Sequence, residues 1–180
     1  MPSETYIAIF GLFGSGKTTL ARGIIGTDGG AVDHDNYCVT NGGLYTFFGT
    51  YKKDSKYGGA DVVKDNTSAK LKEAFLRSET PIFISEGVRV QSFGPLFLQT
   101  FYLAKRQAII ALDCDPDVTL ARIAERSGKT GENSNRKSLP TFNRLLEKFV
   151  SIGTPVFRIN ANQGKDAVLQ QSLEIIRSFL

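Results

Sequence analysis

No stretch of the 180-residue sequence approaches the roughly eighteen consecutive apolar residues that a membrane-crossing helix requires. Cysteine is scarce as well. Cys38 and Cys114 are the only two, they fall in separate predicted elements, and neither has a partner at the Cys-x-x-Cys spacing of a metal site. Both are expected to be buried, reduced thiols. The single histidine, His34, stands in a polar cluster and reads as a loop residue rather than a catalyst. Residues 1–5 are short and polar, without the charged, apolar and small segments of an export signal, so the chain is expected in the cytosol. Internal repeats and linker-like compositions are missing, and a chain of 180 residues suits one substantial core rather than two. One unit spanning residues 1–180 is therefore expected. The net charge of +4 suits an anionic partner, without separating a nucleotide from a nucleic acid.

What is present alternates between two periodicities. Tyr6–Phe10 is a short apolar run ending in a glycine-rich turn, and the stretch after Lys17 carries Leu20, Ile24 and Ile25 at helical spacing. A weaker strand is predicted at Ala31–Val32, leading into Asp33-His34-Asp35-Asn36-Tyr37. Residues 40–59, rich in glycine and aromatics, read as a hairpin or ordered loop. A helix over Ser68–Leu76 and a turn at Thr80-Pro81 precede the apolar run Ile82-Phe83-Ile84, which stops at Ser85-Glu86-Gly87. A helix over Phe93–Leu103, a strand over Ala108–Leu112 and a helix opened by Asp115-Pro116 follow. That helix gives way to the polar run Ser127–Asn135, read as a mobile loop. Pro140–Ile152 is a further helix, Val156–Ile159 a fifth strand, and Asp166–Phe179 the last helix. Such alternation implies a parallel sheet covered on both faces.

The chemistry is concentrated in Gly11-Leu12-Phe13-Gly14-Ser15-Gly16-Lys17-Thr18, between the first strand and the first helix. Glycines at 11, 14 and 16 let the backbone close around phosphate oxygens with N–H groups pointing inward, and the following helix aims its positive dipole end at the same place. Ser15 and Thr19 complete the predicted binding stretch. Lys17 supplies a mobile charge for the outer phosphates, and the Thr18 hydroxyl suits magnesium, a hard cation that takes few protein ligands. The expected ligands are therefore ATP, as the default triphosphate, and Mg2+. The segment 160–164 that would meet the nucleotide base has no decisive signature.

From Tyr6 to the terminal helix the sequence resembles the nucleoside and nucleotide kinases among P-loop proteins. Ile82-Phe83-Ile84-Ser85-Glu86-Gly87 looks like the apolar strand ending in Glu-Gly of uridine-kinase-like enzymes, whose acidic residue lies near magnesium and phosphates. Asp35-Asn36-Tyr37 is similar to their Asp-x-Tyr segment, whose aspartate faces the acceptor hydroxyl. Leu112–Pro116 and Arg122–Arg126 look like their fourth strand and arginine-bearing lid. The resemblance implies a three-layer α/β P-loop kinase fold: a five-stranded parallel sheet in the order 2-3-1-4-5, helices on both faces, and a mobile lid over about 122–138. It also implies roles. Lys17, Arg122 and Arg126 would supply positive charge to a moving phosphoryl group, Glu86 would serve the metal with Thr18, and Asp35 would be the base. By residue type alone Asp33 qualifies equally, and either aspartate could instead serve turn chemistry. Glu86 could pair with Arg89.

An acceptor-binding insertion is expected over about 40–62, an aromatic and basic stretch in which Tyr51, Lys52, Lys53 and Lys56 combine rings and cations, a mixture that suits base stacking and a sugar-phosphate backbone. With Asp33, Tyr37, Asp61 and Arg89 these form the predicted acceptor or DNA-binding set. The same stretch reads equally as a twisted hairpin with packed aromatics and solvated lysines. Gly49-Thr50-Tyr51 and Gly58-Gly59-Ala60-Asp61 resemble segments of bacteriophage kinases that phosphorylate 5-hydroxymethyluracil in DNA, which would place the chain in the cytoplasm of a phage host. A kinase for a free nucleoside or nucleotide is the alternative, and a nucleotide-dependent switch or hydrolase a second. Against the last, the sequence has no Asn/Thr-Lys-x-Asp guanine-reading segment and no obvious arrangement for positioning an attacking water.

Overall fold

The computed structural model describes residues 1–87, 90, 95–128 and 134–180. Its strands are β1 (Thr5–Gly11), β2 (Ala31–Asp33), β3 (Tyr37–Thr40), β4 (Tyr45–Phe48), β5 (Ile82–Glu86), β6 (Arg106–Asp113) and β7 (Val156–Asn160). Its α-helices are α1 (Lys17–Thr27), α2 (Thr67–Arg77), α3 (Pro95–Phe101), α4 (Pro116–Ser127), α5 (Ser134–Ser151) and α6 (Lys165–Arg177), with a 3-10 turn at Ala60–Val62.

All seven strands join one sheet in the order β2-β3-β4-β5-β1-β6-β7. This corrects the expected five-stranded order, in which β2 would have paired with the strand ending at Glu86. Two further strands stand between them: β3 pairs antiparallel with both β2 and β4, and β4 runs parallel to β5. The aromatic stretch expected as a loop or hairpin thus becomes part of the sheet. All four residues of β4 are buried, because the strand is covered on both faces and shows no polar alternation. Asp28 secures the turn between β3 and β4, accepting the Leu44 N–H and the Thr40 hydroxyl.

Side chains alternate across β1 into two cores. Tyr6, Ala8 and Phe10 face α2, α3 and α5, whereas Ile7 and Ile9 face α1 and α6. The first core is aromatic: Tyr6, Phe97, Phe101 and Phe149 pack at centroid separations of 5.1 to 6.5 Å. Cys38 and Cys114 are buried free thiols, as expected. Among the described residues no helix is long and apolar enough to cross a membrane.

The predicted helix boundaries shift most at α5, which begins at residue 134 and runs through Pro140, the position expected to open it. Its first turn is anchored by buried Asn135, which donates to the Phe13 carbonyl at 2.7 Å and to the Thr119 hydroxyl at 2.8 Å. Arg136 adds an exposed ion pair to Asp117. Residues 129–133 of the expected lid, residues 93–94 of the expected third helix, and Arg89 lie outside the described residues.

Phe101 has no exposed surface and contacts four other rings, so Phe101→Ala is expected to cost about 3–5 kcal/mol of unfolding free energy in urea titrations. Leu103→Ala, at a half-exposed position, is expected to stay within about 0.5 kcal/mol.

Candidate active site

The carboxyl ends of β1 and β5, adjacent parallel strands, place the glycine-rich loop beside Glu86. Two glycines of the loop adopt φ values closed to most side chains, Gly14 at 80° and Gly16 at 100°. Gly14 also lies against α4: a Cβ there would meet the Thr119 carbonyl and Ile123 at 2.9 Å. Gly16 caps α1 without a side-chain hydrogen bond, and no acidic residue occupies the first turn. The leading N–H groups and the dipole of α1 are therefore available to an anion.

Gly14, Ser15, Gly16, Lys17, Thr18 and Thr19 line a cleft of about 310 Å³. Gly11 contributes from its base: the Lys17 ammonium donates to the carbonyls of Gly11 and Leu12, each at 3.0 Å. Burial lowers the Lys17 pKa, while Glu86 and Asp61 oppose that shift. Arg122 and Arg126 reach the same cleft from α4, and Ala161 and Gln163 reach it from the segment after β7. Arg122 donates to the Ala161 carbonyl at 2.9 Å, and the Arg126 guanidinium lies 5.4 Å from the Phe13 ring centre.

Glu86 lies behind this surface, with no exposed area. Its Oε1 accepts the Thr18 hydroxyl at 3.1 Å, while Oε2 is buried without a partner. The buried Tyr51 hydroxyl stands close enough to couple with this carboxylate, yet it completes no hydrogen bond in this geometry. Burial pushes the Glu86 carboxyl up to about 7, with Lys17 pulling it down and Asp61 adding to the rise.

The predicted acceptor residues separate into groups. Lys56 and Asp61 line the cleft of the phosphate loop. Asp35 and Lys52 line a neighbouring cleft of about 400 Å³, and Tyr57 borders both. Asp35 also faces a small cavity with Tyr37, Lys70 and Arg77, where the Tyr37 ring stacks on His34 at 4.6 Å. Asp33 is exposed on β2, paired across the ladder with Cys38. Tyr51 turns inward, its ring 5.6 Å from that of Phe47. Lys53 is exposed.

Three contributors were not singled out from the sequence. Asn135 ties α5 to the loop through Phe13, and nothing in its polar surroundings marks it. Tyr57 joins the two clefts from within the aromatic and basic stretch. Arg22 donates to the carbonyls of Lys52 and Ser55, holding their turn on α1. Its position four residues after Thr18, on the same helix face, is the signal that could have revealed it.

Solved structures with this arrangement of strands and helices include three kinases. A gluconokinase from Sinorhizobium meliloti 1021 is 14% identical with a TM-score of 0.58, covering 99% of this chain and 94% of that one. A sugar kinase from Janibacter sp. HTCC2649 is 14% identical with a TM-score of 0.54, covering 96% and 94%. A deoxyadenosine kinase from M. mycoides, with dCMP and a flexible dCDP bound as products, is 13% identical with a TM-score of 0.52, covering 96% and 99%. No family model matches the sequence, and no curated protein matches it. The likeness is one of architecture: this chain shares the fold of these three kinases.

The raised Glu86 carboxyl has a consequence for stability. The folded protein retains a proton that the unfolded chain releases near pH 4.5, so stability falls as pH rises from there through about 7. Glu86→Gln, which carries no ionisable group, is expected to gain melting temperature relative to the parent at pH 8 and to lose most of that advantage at pH 4. Parallel melting curves check this.

Proposed function

We propose that the chain is a kinase that transfers the terminal phosphate of a magnesium-bound nucleoside triphosphate, ATP by default, to an acceptor hydroxyl. The observation that carries this reading is the gathering of Lys17, Arg126 and the uncapped α1 terminus on one cleft, with a second open cleft adjoining it at Tyr57. Phosphoryl transfer asks chiefly for positioning and for positive charge around the moving group. Lys17 and Arg126 supply that charge here. Arg122 braces the segment after β7 through the Ala161 carbonyl, where a nucleotide base would rest.

The residues beside the loop fit magnesium. The Thr18 hydroxyl and the unpartnered Oε2 of Glu86 are hard oxygen donors. Among the described residues no group of three or more His, Cys, Asp or Glu could hold a metal by itself, which suits an ion carried mainly by phosphates and water. Thr18 would hold it, with Glu86 behind. When bound, the cation neutralises charge on the outer phosphates.

For the acceptor, we favour the hydroxymethyl group of 5-hydroxymethyluracil in DNA. Tyr57 is 53% exposed, Lys52, Lys56 and Lys64 line the clefts, Lys53 is exposed next to Lys52, and the two Gly-containing segments resemble those of the phage DNA kinases. Aromatic rings beside cations are suited to an unstacked base and its flanking phosphates. A free nucleoside or nucleotide remains the second reading, favoured by the deoxyadenosine kinase among the proteins of this fold.

Incubation with labelled ATP, magnesium and either hydroxymethyluracil-containing duplex or the free nucleoside, followed by mass spectrometry of released nucleosides, separates these readings. Label in the DNA base is expected. Label in the nucleoside alone would select the second reading, and label only in inorganic phosphate would make the protein a hydrolase. The Lys52→Ala/Lys53→Ala variant leaves Lys56 in the nucleotide cleft untouched. Its transfer to DNA is expected to weaken and its log-affinity against log-salt slope to flatten by up to about two, with ATP affinity retained. An unchanged salt slope would remove the nucleic-acid acceptor.

A further inference from the structure

Three carboxylates compete for the acceptor proton if the chain is a kinase: Asp33 at the end of β2, Asp35 just after it, and Asp61 in the 3-10 turn. Their positions differ sharply. Among the described residues Asp61 is the only carboxylate lining the nucleotide cleft, alongside Lys17, Thr18 and Arg126. Asp35 lines the adjoining cleft and the small cavity beyond it, and Asp33 is exposed on β2. Glu86 is closer to the loop but has no exposed surface and is turned to Thr18.

The segment carrying Asp61 is a partition. Tyr57 borders both clefts, Asp61 faces the nucleotide side, and Val62 and Val63 face the other. Close packing holds this partition in place. A Cβ on Gly49 would lie 2.0 Å from the Gly59 carbonyl oxygen, and one on Gly59 would lie 2.5 Å from Glu86 Oε1. Thr50 and Gly59 also pair in an antiparallel bridge, and Ala60 is fully buried. Asp61 therefore stands on rigid backbone at the junction of the two clefts. Among the described residues its carboxylate has no hydrogen-bond or ion-pair partner, although Lys17 and Glu86 both feel its charge.

We infer that Asp61, rather than Asp35 or Asp33, is the catalytic base that orients the acceptor hydroxyl and takes its proton; this rests on the kinase reading above. The acceptor oxygen forms its bond to the terminal phosphorus while the bond from that phosphorus to the bridging oxygen breaks. The bridging oxygen leaves with its electron pair as part of the nucleoside diphosphate, and the acceptor proton passes to the Asp61 carboxylate and then to solvent. Asp35, across the adjoining cleft, is left to hold the acceptor.

The test compares Asp61→Asn, Asp61→Glu and Asp35→Asn for transfer from labelled ATP to hydroxymethyluracil-containing duplex and to the free nucleoside, with ATP affinity and melting temperature measured on each. Asp61→Asn is expected to lose about 10²–10⁴-fold in kcat with ATP affinity and melting temperature retained. Asp61→Glu should recover part of that loss, and Asp35→Asn should act mainly on acceptor KM. A large kcat loss in Asp35→Asn beside a small one in Asp61→Asn overturns the assignment. Recovery of the Asp61→Asn rate by raising magnesium alone also overturns it, because the residue would then serve the metal. If the parent protein phosphorylates neither acceptor, the kinase reading itself fails and this inference falls with it.

Discussion

One buried carboxylate joins the glycine-rich loop, the central sheet and the segment from Gly49 to Asp61. Glu86 ends β5, receives the Thr18 hydroxyl from the phosphate loop, and lies under Gly59 at a separation no larger residue would allow. A charge without exposed surface is costly unless other groups share it. Lys17 and Thr18 share it here, and the resulting tension appears as a carboxyl held near neutrality. The loop, the central strand and the Gly49–Asp61 segment are thereby coupled: movement of any one alters the surroundings of the same carboxylate.

That coupling explains why the segment from Gly49 to Asp61 is built around glycine. Gly49 and Gly59 touch because Thr50 and Gly59 bridge, and the contact brings Asp61, Lys56 and Tyr57 to the cleft beside the glycine-rich loop. Arg22 performs the matching task from α1, holding the turn at Lys52 and Ser55 to the helix that carries Lys17. The two clefts thus share a wall whose two ends are fastened to the glycine-rich loop and α1.

The sequence disclosed the parts whose chemistry is local. The loop could be read because glycine spacing, Lys17 and Thr18 follow an apolar strand and open a helix, and Glu86 because an apolar run stops at it. The parallel core strands and most helices were legible from periodicity. By contrast, β3 and β4 are four residues each, and β4 is buried on both sides, so neither presents the alternation that marks a strand. Asn135 escaped for a different reason. Its importance comes from long-range bonds to Phe13 and Thr119, whereas its neighbours have the composition of a loop. Nor does local pattern tell which of several aspartates arrives at a cleft; that depends on how the 40–62 insertion folds back.

If the chain is a kinase, the loop from Gly11 to Thr18 grips a magnesium-bound triphosphate. Calorimetric titration of the purified protein with ATP and magnesium tests it most directly. Saturable one-to-one binding that disappears in Lys17→Ala is the expected result. Absence of affinity for any magnesium-bound nucleoside triphosphate would contradict a kinase function for this chain.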